Sequence, residues 1–293
     1  MFNLLKTAVL MAAITALFMA VGAFIGGRSG MMFALVVAVG LNFFSYWFSD
    51  KLVLKMYNAR EVDESSAPQF HSMIAELAQK AGLPMPRVYV IDEAAPNAFA
   101  TGRNPKHAAL AVTTGLLETM NRVELEGVIA HELSHIRNRD VRLMSLVAVL
   151  VGVVALLSDF LFRISIFGGG RKSGGTAGLI AFALGLAALA LAPIAAVLIQ
   201  LAVSRRREYL ADASGAEITG DGEGLALALR KLELDTTETR HASRAVAHLY
   251  IENPLNQASG MRGAMRSLFD THPPLTARIA ALEEAGGFQL PPI

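Results

Sequence analysis

The sequence predicts a mainly α-helical chain with a small β-sheet that crosses a membrane four times. Composition, the placing of its apolar runs and the character of two polar blocks carry that expectation. Hydrophobic residues fill 53% of the 293 positions and charged residues 17%, against about 25% charged in ordinary soluble domains. Four apolar stretches are long enough to cross a bilayer, which needs about 20 residues of helix. The two polar blocks carry both helical and strand-like patterns. There are no cysteines. Disulfides and thiolate metal sites are therefore excluded, and any transition metal must be held by His, Asp or Glu. No basic run is interleaved with aromatics, so no nucleic-acid partner is expected.

The first apolar stretch runs from Leu4 to Ile25 and the second from Met31 to Phe48, joined by the short turn "GGRSG". A cleavable signal peptide is the alternative for the first, but a second span so close behind it favours a hairpin. Tyr46 and Trp47 end the second stretch as interfacial aromatics. The third runs from Leu143 to Phe162 and the fourth from Ala177 to Val203, with Pro193 inside it, which membrane helices tolerate. For these two, a buried hairpin in a soluble core is the alternative. The expected organisation is a membrane hairpin over 1–50, a polar block over 51–142, a second membrane hairpin over 143–203 and a second polar block over 204–293. Ten Lys and Arg, from Lys6 to Arg207, fall on the side of the termini and polar blocks. Arg28, Arg163, Arg171 and Lys172 fall on the other. The positive-inside bias then puts both termini and both blocks in the cytoplasm.

In the first block "APQFHSMIAELAQKAG" has helical spacing with Gly82 as its stop. "RVYVID" and "HAALAVTT" read as short strands. Asn121 and Glu124 form a capping box that opens the next helix. In the second block "GEGLALALRKLEL" and "PLTARIAALEEAG" read as helices, the last opened by Pro273 and Pro274.

The capped helix carries "HELSH", His131 to His135. Residues i and i+4 share a helix face, so the two histidines can chelate one zinc ion. Glu132 beside them can take a proton from the attacking water. The block thus predicts a zincin-like (HExxH) metallopeptidase domain. Such a site needs three protein ligands. The nearby histidine of the longer metzincin pattern is missing, since Asn138 and Val141 occupy its Gly and His positions. Glu208, Asp212, Glu217, His241, His248 and His272 remain as candidates. If the zinc helix runs on into the third span and the fourth returns to the same side, Glu208 re-emerges about 6 Å beyond the membrane edge, beside the histidines. Asp212, one turn later, is suited to accept the second N–H of a ligand histidine.

"AHELSHIRNRD", then "SRRREYLADASGA" after a hydrophobic hairpin, resembles the HtpX-type membrane zinc proteases, bacterial relatives of the CAAX prenyl proteases. "PNAFATG" at Pro96–Gly102 and "THPPLTARI" at Thr271–Ile279 resemble that group too, in the same order. The resemblance implies one Zn(2+) on His131, His135 and Glu208, with Glu132 as the base. It gives His272 either a hydrogen bond to the reacting carbonyl or a role in anchoring the last helix, and Asn97 a part in shaping the substrate cleft. It implies an endopeptidase of the bacterial inner membrane that removes damaged or misassembled membrane proteins at the cytoplasmic face. A strand such as "HAALAVTT" would bind substrate backbone as an added strand. The alternatives are a processing protease for a defined, for example prenylated, substrate and a non-catalytic zinc-stabilised scaffold or chaperone.

Overall fold

The computed structural model describes residues 2–167, 204–237 and 273–291. Helix α1 (Phe2–Met56) is two helices broken at Gly26 and Gly27, and Gly27 takes φ 57° with ψ −141°, a region open chiefly to glycine. The Asn42 amide donates to Met11 O at 3.1 Å and to Thr15 Oγ1 at 2.8 Å. Contacts across 31 and 27 residues require the two halves to lie side by side. The first two predicted stretches therefore form one hairpin. Phe33, Val36 and Phe43 point outward, while Leu10, Ile14 and Ala38 are buried.

Among the described residues, two helical segments are able to cross a membrane by length and composition: Leu5–Met56 and Asp140–Arg163. The second belongs to α5 (Asp140–Phe167). Leu143, Leu146, Val147 and Leu150 in its first turns are buried in one cluster with Leu10, Ile14 and Val53 of α1. The fourth predicted stretch and the Gly-rich loop before it lie outside the described residues.

After α1 come β1 (Arg60–Glu61), α2 (Pro68–Lys80), β2 (Arg87–Ile91), β3 (Ala98–Gly102) and β4 (Ala108–Thr113). The sheet order is β1-β2-β4-β3. β2 and β4 run parallel with Tyr89 opposite Ala111, and β3 is antiparallel to β4 with Ala100 opposite Leu110. The two predicted strands are β2 and β4. β1 has only two residues. β3, "AFATG", lacks the β-branched pattern that marks a strand and is set by burial of all five residues. One expectation is corrected here: β4 is interior, bonded on both edges, and cannot take an added strand. Among the described residues the outer strands are β1 and β3.

α3 (Thr114–Thr119) leads to α4 (Arg122–Arg137). The capping box is present in full: Asn121 Oδ1 accepts from Glu124 N at 3.0 Å, and Glu124 Oε2 accepts from Asn121 N at 2.8 Å. α4 does not run on into the third predicted span. It stops at Asn138, and Arg139 takes φ 60°, a left-handed conformation uncommon for a non-glycine residue. That break starts α5 in a new direction at Asp140. The second polar block contributes α6 (Arg205–Thr219), α7 (Glu223–Leu234) and α8 (Leu275–Gly286). α4 packs on α6 and α7, and α8 closes over both. Ile129, Leu133, Leu225, Leu229 and Ile279 share the core between them. Truncating Leu133, fully buried there, would cost ~2–5 kcal/mol, so α4 is held as a rigid platform.

Candidate active site

His131 and His135 lie one turn apart on the buried face of α4. Their Nε2 atoms are 3.2 Å apart and their rings stand at 88°. α6 crosses that face and brings Glu208 to them. Glu208 Oε2 is 3.9 Å from His131 Nε2, and Glu208 Oε1 is 3.6 Å from His135 Nε2. One ligand atom from each of the three residues lies within 4.8 Å of the others. Zinc bonds to N and O of about 2.0–2.2 Å in a tetrahedral arrangement fit that spacing.

The close approach depends on Gly215. A Cβ there would lie 3.1 Å from His131 N and 3.3 Å from its Cα. With hydrogen at that position, the α6 backbone settles against α4, and Glu208 and Asp212, seven and three residues earlier on α6, reach the histidines.

Each imidazole is held from behind. Asp212 Oδ1 is 2.9 Å from His131 Nδ1. Asp140 Oδ2 is 3.4 Å from His135 Nδ1, made possible by the turn at Arg139. Asp140 is in turn paired with Arg207, whose Nη2 also donates to Asn138 O at 3.0 Å. Asp212 takes a two-pronged bond from Arg278: Nε to Oδ2 at 2.8 Å and Nη2 to Oδ1 at 2.6 Å. Arg278 is fully buried, and its Nη1 lies 3.8 Å from Glu208 Oε2.

The electrostatics point the same way. Four buried carboxylates, Glu132, Asp140, Glu208 and Asp212, surround two imidazoles and meet two guanidiniums, those of Arg207 and Arg278. A divalent cation would offset the excess negative charge. Burial alone would lower the affinity of His135 for a proton, but the nearby Asp140, Glu208 and Glu132 carboxylates override it and raise its pKa to about 9. Burial would likewise raise Asp212, yet the Arg278 guanidinium holds its carboxyl below the usual carboxylate range. Burial pushes the Glu132 carboxyl up, partly opposed by the two histidines. The donor set and its charge therefore suit a metal ion.

Glu132 turns to the other side of the cluster, toward the sheet. Its Oε2 accepts the N–H of Ala100 in β3 at 2.8 Å. β3 is fastened to α5 as well, since Gly102 N donates to Ser145 Oγ at 3.1 Å. Asn97, just before β3, is buried, and its N–H donates to Thr113 Oγ1 at 2.8 Å. Of the other candidate ligands, Glu217 is 68% exposed and faces Arg137 at 3.2 Å, outside the cluster. His241, His248 and His272 lie outside the described residues.

Sequence reading missed Arg278, Asp140 and Arg207. A signal for Arg278 existed. Leu275, Arg278, Ile279 and Leu282 are the buried residues of α8 and form one stripe. A charge in an apolar helical stripe implies a buried partner.

The chain is similar to known peptidases over most of its length. The sequence model of peptidase family M48 matches residues 64–286. A protein named Protease HtpX homolog from Methylibium petroleiphilum is 55% identical over 290 residues, covering 96% of this chain and 97% of that one. Its namesake from Ralstonia pickettii is 53% identical over 287 residues, covering 96% of each. The crystal structure of S. mikatae Ste24p superposes with a TM-score of 0.52 at 18% identity, over 96% of this chain. That match spans 65% of the Ste24p chain, and at this identity it speaks for the fold alone.

Proposed function

The chain belongs to peptidase family M48, and from that premise we propose a zinc-dependent endopeptidase that cleaves damaged or misassembled membrane proteins at the cytoplasmic face of the bacterial inner membrane. Family membership makes the chain a membrane metallopeptidase and removes the non-catalytic scaffold from consideration. The zinc-dependent chemistry in this reading rests on one observation: His131, His135 and Glu208 converge within 4.8 Å while Glu132 sits beside them against β3.

In this reading His131, His135 and Glu208 hold the metal. Zinc, when bound, supplies Lewis acidity toward a carbonyl oxygen and acidifies water. Asp212 and Asp140 keep the imidazoles oriented with Nε2 directed inward. Glu132 accepts a proton from the attacking water as its oxygen bonds to the peptide carbon. It then delivers that proton to the departing amine nitrogen as the C–N bond breaks. The Ala100 N–H holds the Glu132 carboxylate by one oxygen and leaves the other for this transfer. β3 is the sheet edge beside Glu132, so a substrate strand is assigned to that edge, with Asn97 shaping the cleft. Four membrane spans, with the termini and both polar blocks in the cytoplasm, complete the proposal.

α4 ends and α5 begins beside the cluster, so the cut falls close to the membrane surface rather than within the hydrocarbon. Model substrates with a scissile segment at increasing distance from a transmembrane span test this, read by mass spectrometry of the products. Cuts are expected in cytoplasmic segments near the span. Products ending inside the span would overturn the placement.

A further inference from the structure

Where the second half of α1 leaves its apolar stretch, the surface becomes basic. A cavity of about 340 Å³ opens between the end of that helix, the start of β2 and the β3–β4 connection. Trp47, Lys51, Arg87, Arg103 and Lys106 line it, with Asp50 as its one carboxylate. Asp50 is already paired with Arg87 at 2.8 Å. Among the described residues Lys51, Arg103 and Lys106 make no ion pair. The Arg103 guanidinium carbon stands 4.8 Å from the centre of the Trp47 ring, and its Nη1 donates to Trp47 O at 3.4 Å. A neighbouring cavity shares Lys51 and Arg87 and adds Lys55, so the positive field extends around the helix.

We propose that this cavity binds the phosphate of an anionic membrane lipid, with the acyl chains lying along the outward face of α1. Three observations favour that occupant. The cavity lies directly after the apolar stretch, where a spanning helix meets the headgroups, and Trp47 is at the level an interfacial aromatic takes. The aromatics leading up to it, Phe43, Phe44 and Trp47, are exposed and offer a surface for hydrocarbon rather than water. Four cations against one paired carboxylate match a phosphodiester, and arginine presents several donors in a fork suited to phosphate. The inference rests on α1 spanning the membrane and does not depend on hydrolysis.

The chain has a single tryptophan, and it lines the cavity, which gives a direct readout. The full chain is reconstituted in bilayers of phosphatidylcholine and phosphatidylglycerol, with one or the other lipid brominated in its acyl chains, and Trp47 fluorescence is followed. Brominated phosphatidylglycerol is expected to quench at lower mole fraction than brominated phosphatidylcholine. That preference should fall about fivefold for each cation removed by Arg103→Gln and Lys106→Gln. The charge-keeping changes Arg103→Lys and Lys106→Arg should retain most of it, which separates loss of charge from loss of fold. Millimolar inorganic phosphate should leave the preference in place. Equal quenching by the two lipids, or a preference unchanged in the double Gln variant, would overturn the proposal. Loss of the preference on adding inorganic phosphate would reassign the cavity to a soluble anion. Peptidase activity is read separately, so failure here leaves the proposed function standing, and the converse also holds.

Discussion

Arg278 and Asp212 are 66 residues apart in sequence and share two hydrogen bonds, at 2.8 and 2.6 Å, with both side chains buried. The pair carries the orientation of His131 to the last helix of the described chain. A histidine of the proposed metal site on α4 is thus linked to a guanidinium from α8.

Arg278→Met should therefore destabilise the protein by ~3–5 kcal/mol, the usual cost of stranding one member of a buried ion pair. Arg278→Lys keeps the charge but cannot reproduce the fork, and should recover only part of that loss. Combining Arg278→Met with Asp212→Asn should recover part of the loss, because Asp212 is no longer a stranded charge, while buried Glu208 still lacks the guanidinium that lay 3.8 Å away. Denaturant unfolding of the metal-free protein in detergent measures all three. Equal stability of parent and Arg278→Met would show that the pair contributes nothing.

Glu132→Gln preserves size and leaves the three proposed ligands untouched. It should keep stoichiometric zinc and lose nearly all hydrolysis of casein, because an amide cannot accept the proton of the attacking water. Elemental analysis beside the activity assay tests both halves. Cleavage near the parental rate would remove Glu132 from the role of base.

Glu208→Ala leaves two histidines, too few for a stable catalytic zinc site, so the purified variant should contain little metal. Asp212→Ala should instead weaken zinc affinity about 10- to 100-fold, as expected for a residue that orients a ligand histidine. Full zinc content in Glu208→Ala would move the third ligand to one of the histidines at 241, 248 and 272.

Gly215→Leu tests the helix spacing. Even a Cβ at this position meets the His131 backbone at 3.1 Å, and a larger side chain must push α6 from α4. Overpacking of this kind costs ~1–3 kcal/mol. It should also lower zinc affinity, since Glu208 and Asp212 move with α6. A competition titration with a chelator reads the affinity. Unchanged affinity would mean that α6 accommodates the side chain without shifting.

Topology is open to cysteine labelling, because the natural chain has none. Cysteines placed at Ser29, in the α1 hairpin turn, and at Ser65, between β1 and α2, are expected to differ. In intact spheroplasts an impermeant thiol reagent should modify the first and spare the second. The reverse pattern would invert the assigned orientation.

The sequence by itself determined the local parts. Four predicted helices in the polar blocks, the capping box at Asn121 and Glu124, two of the four strands and the pairing of His131 with His135 on one face all follow from spacings within a few residues. Helical and strand periods, caps and stops are properties of neighbours along the chain. The first two apolar stretches were equally legible, since an uninterrupted apolar run needs no partner to be recognised.

Tertiary structure decided the rest. Spacing left six candidates for a third ligand, and packing of α6 on α4 through Gly215 brought Glu208 to the histidines while leaving Glu217 outside. The break at Arg139, which sends Asp140 back to His135, gave no local signal, because a left-handed arginine is held by its surroundings rather than by its own preference. β3 is poor in strand-forming residues and exists through burial, and its presence puts β4 inside the sheet. Arg278 and His131 approach within 3.3 Å across 147 residues of chain. A contact of that reach depends on how four helices stack, and the periodicity of any one of them is silent about it.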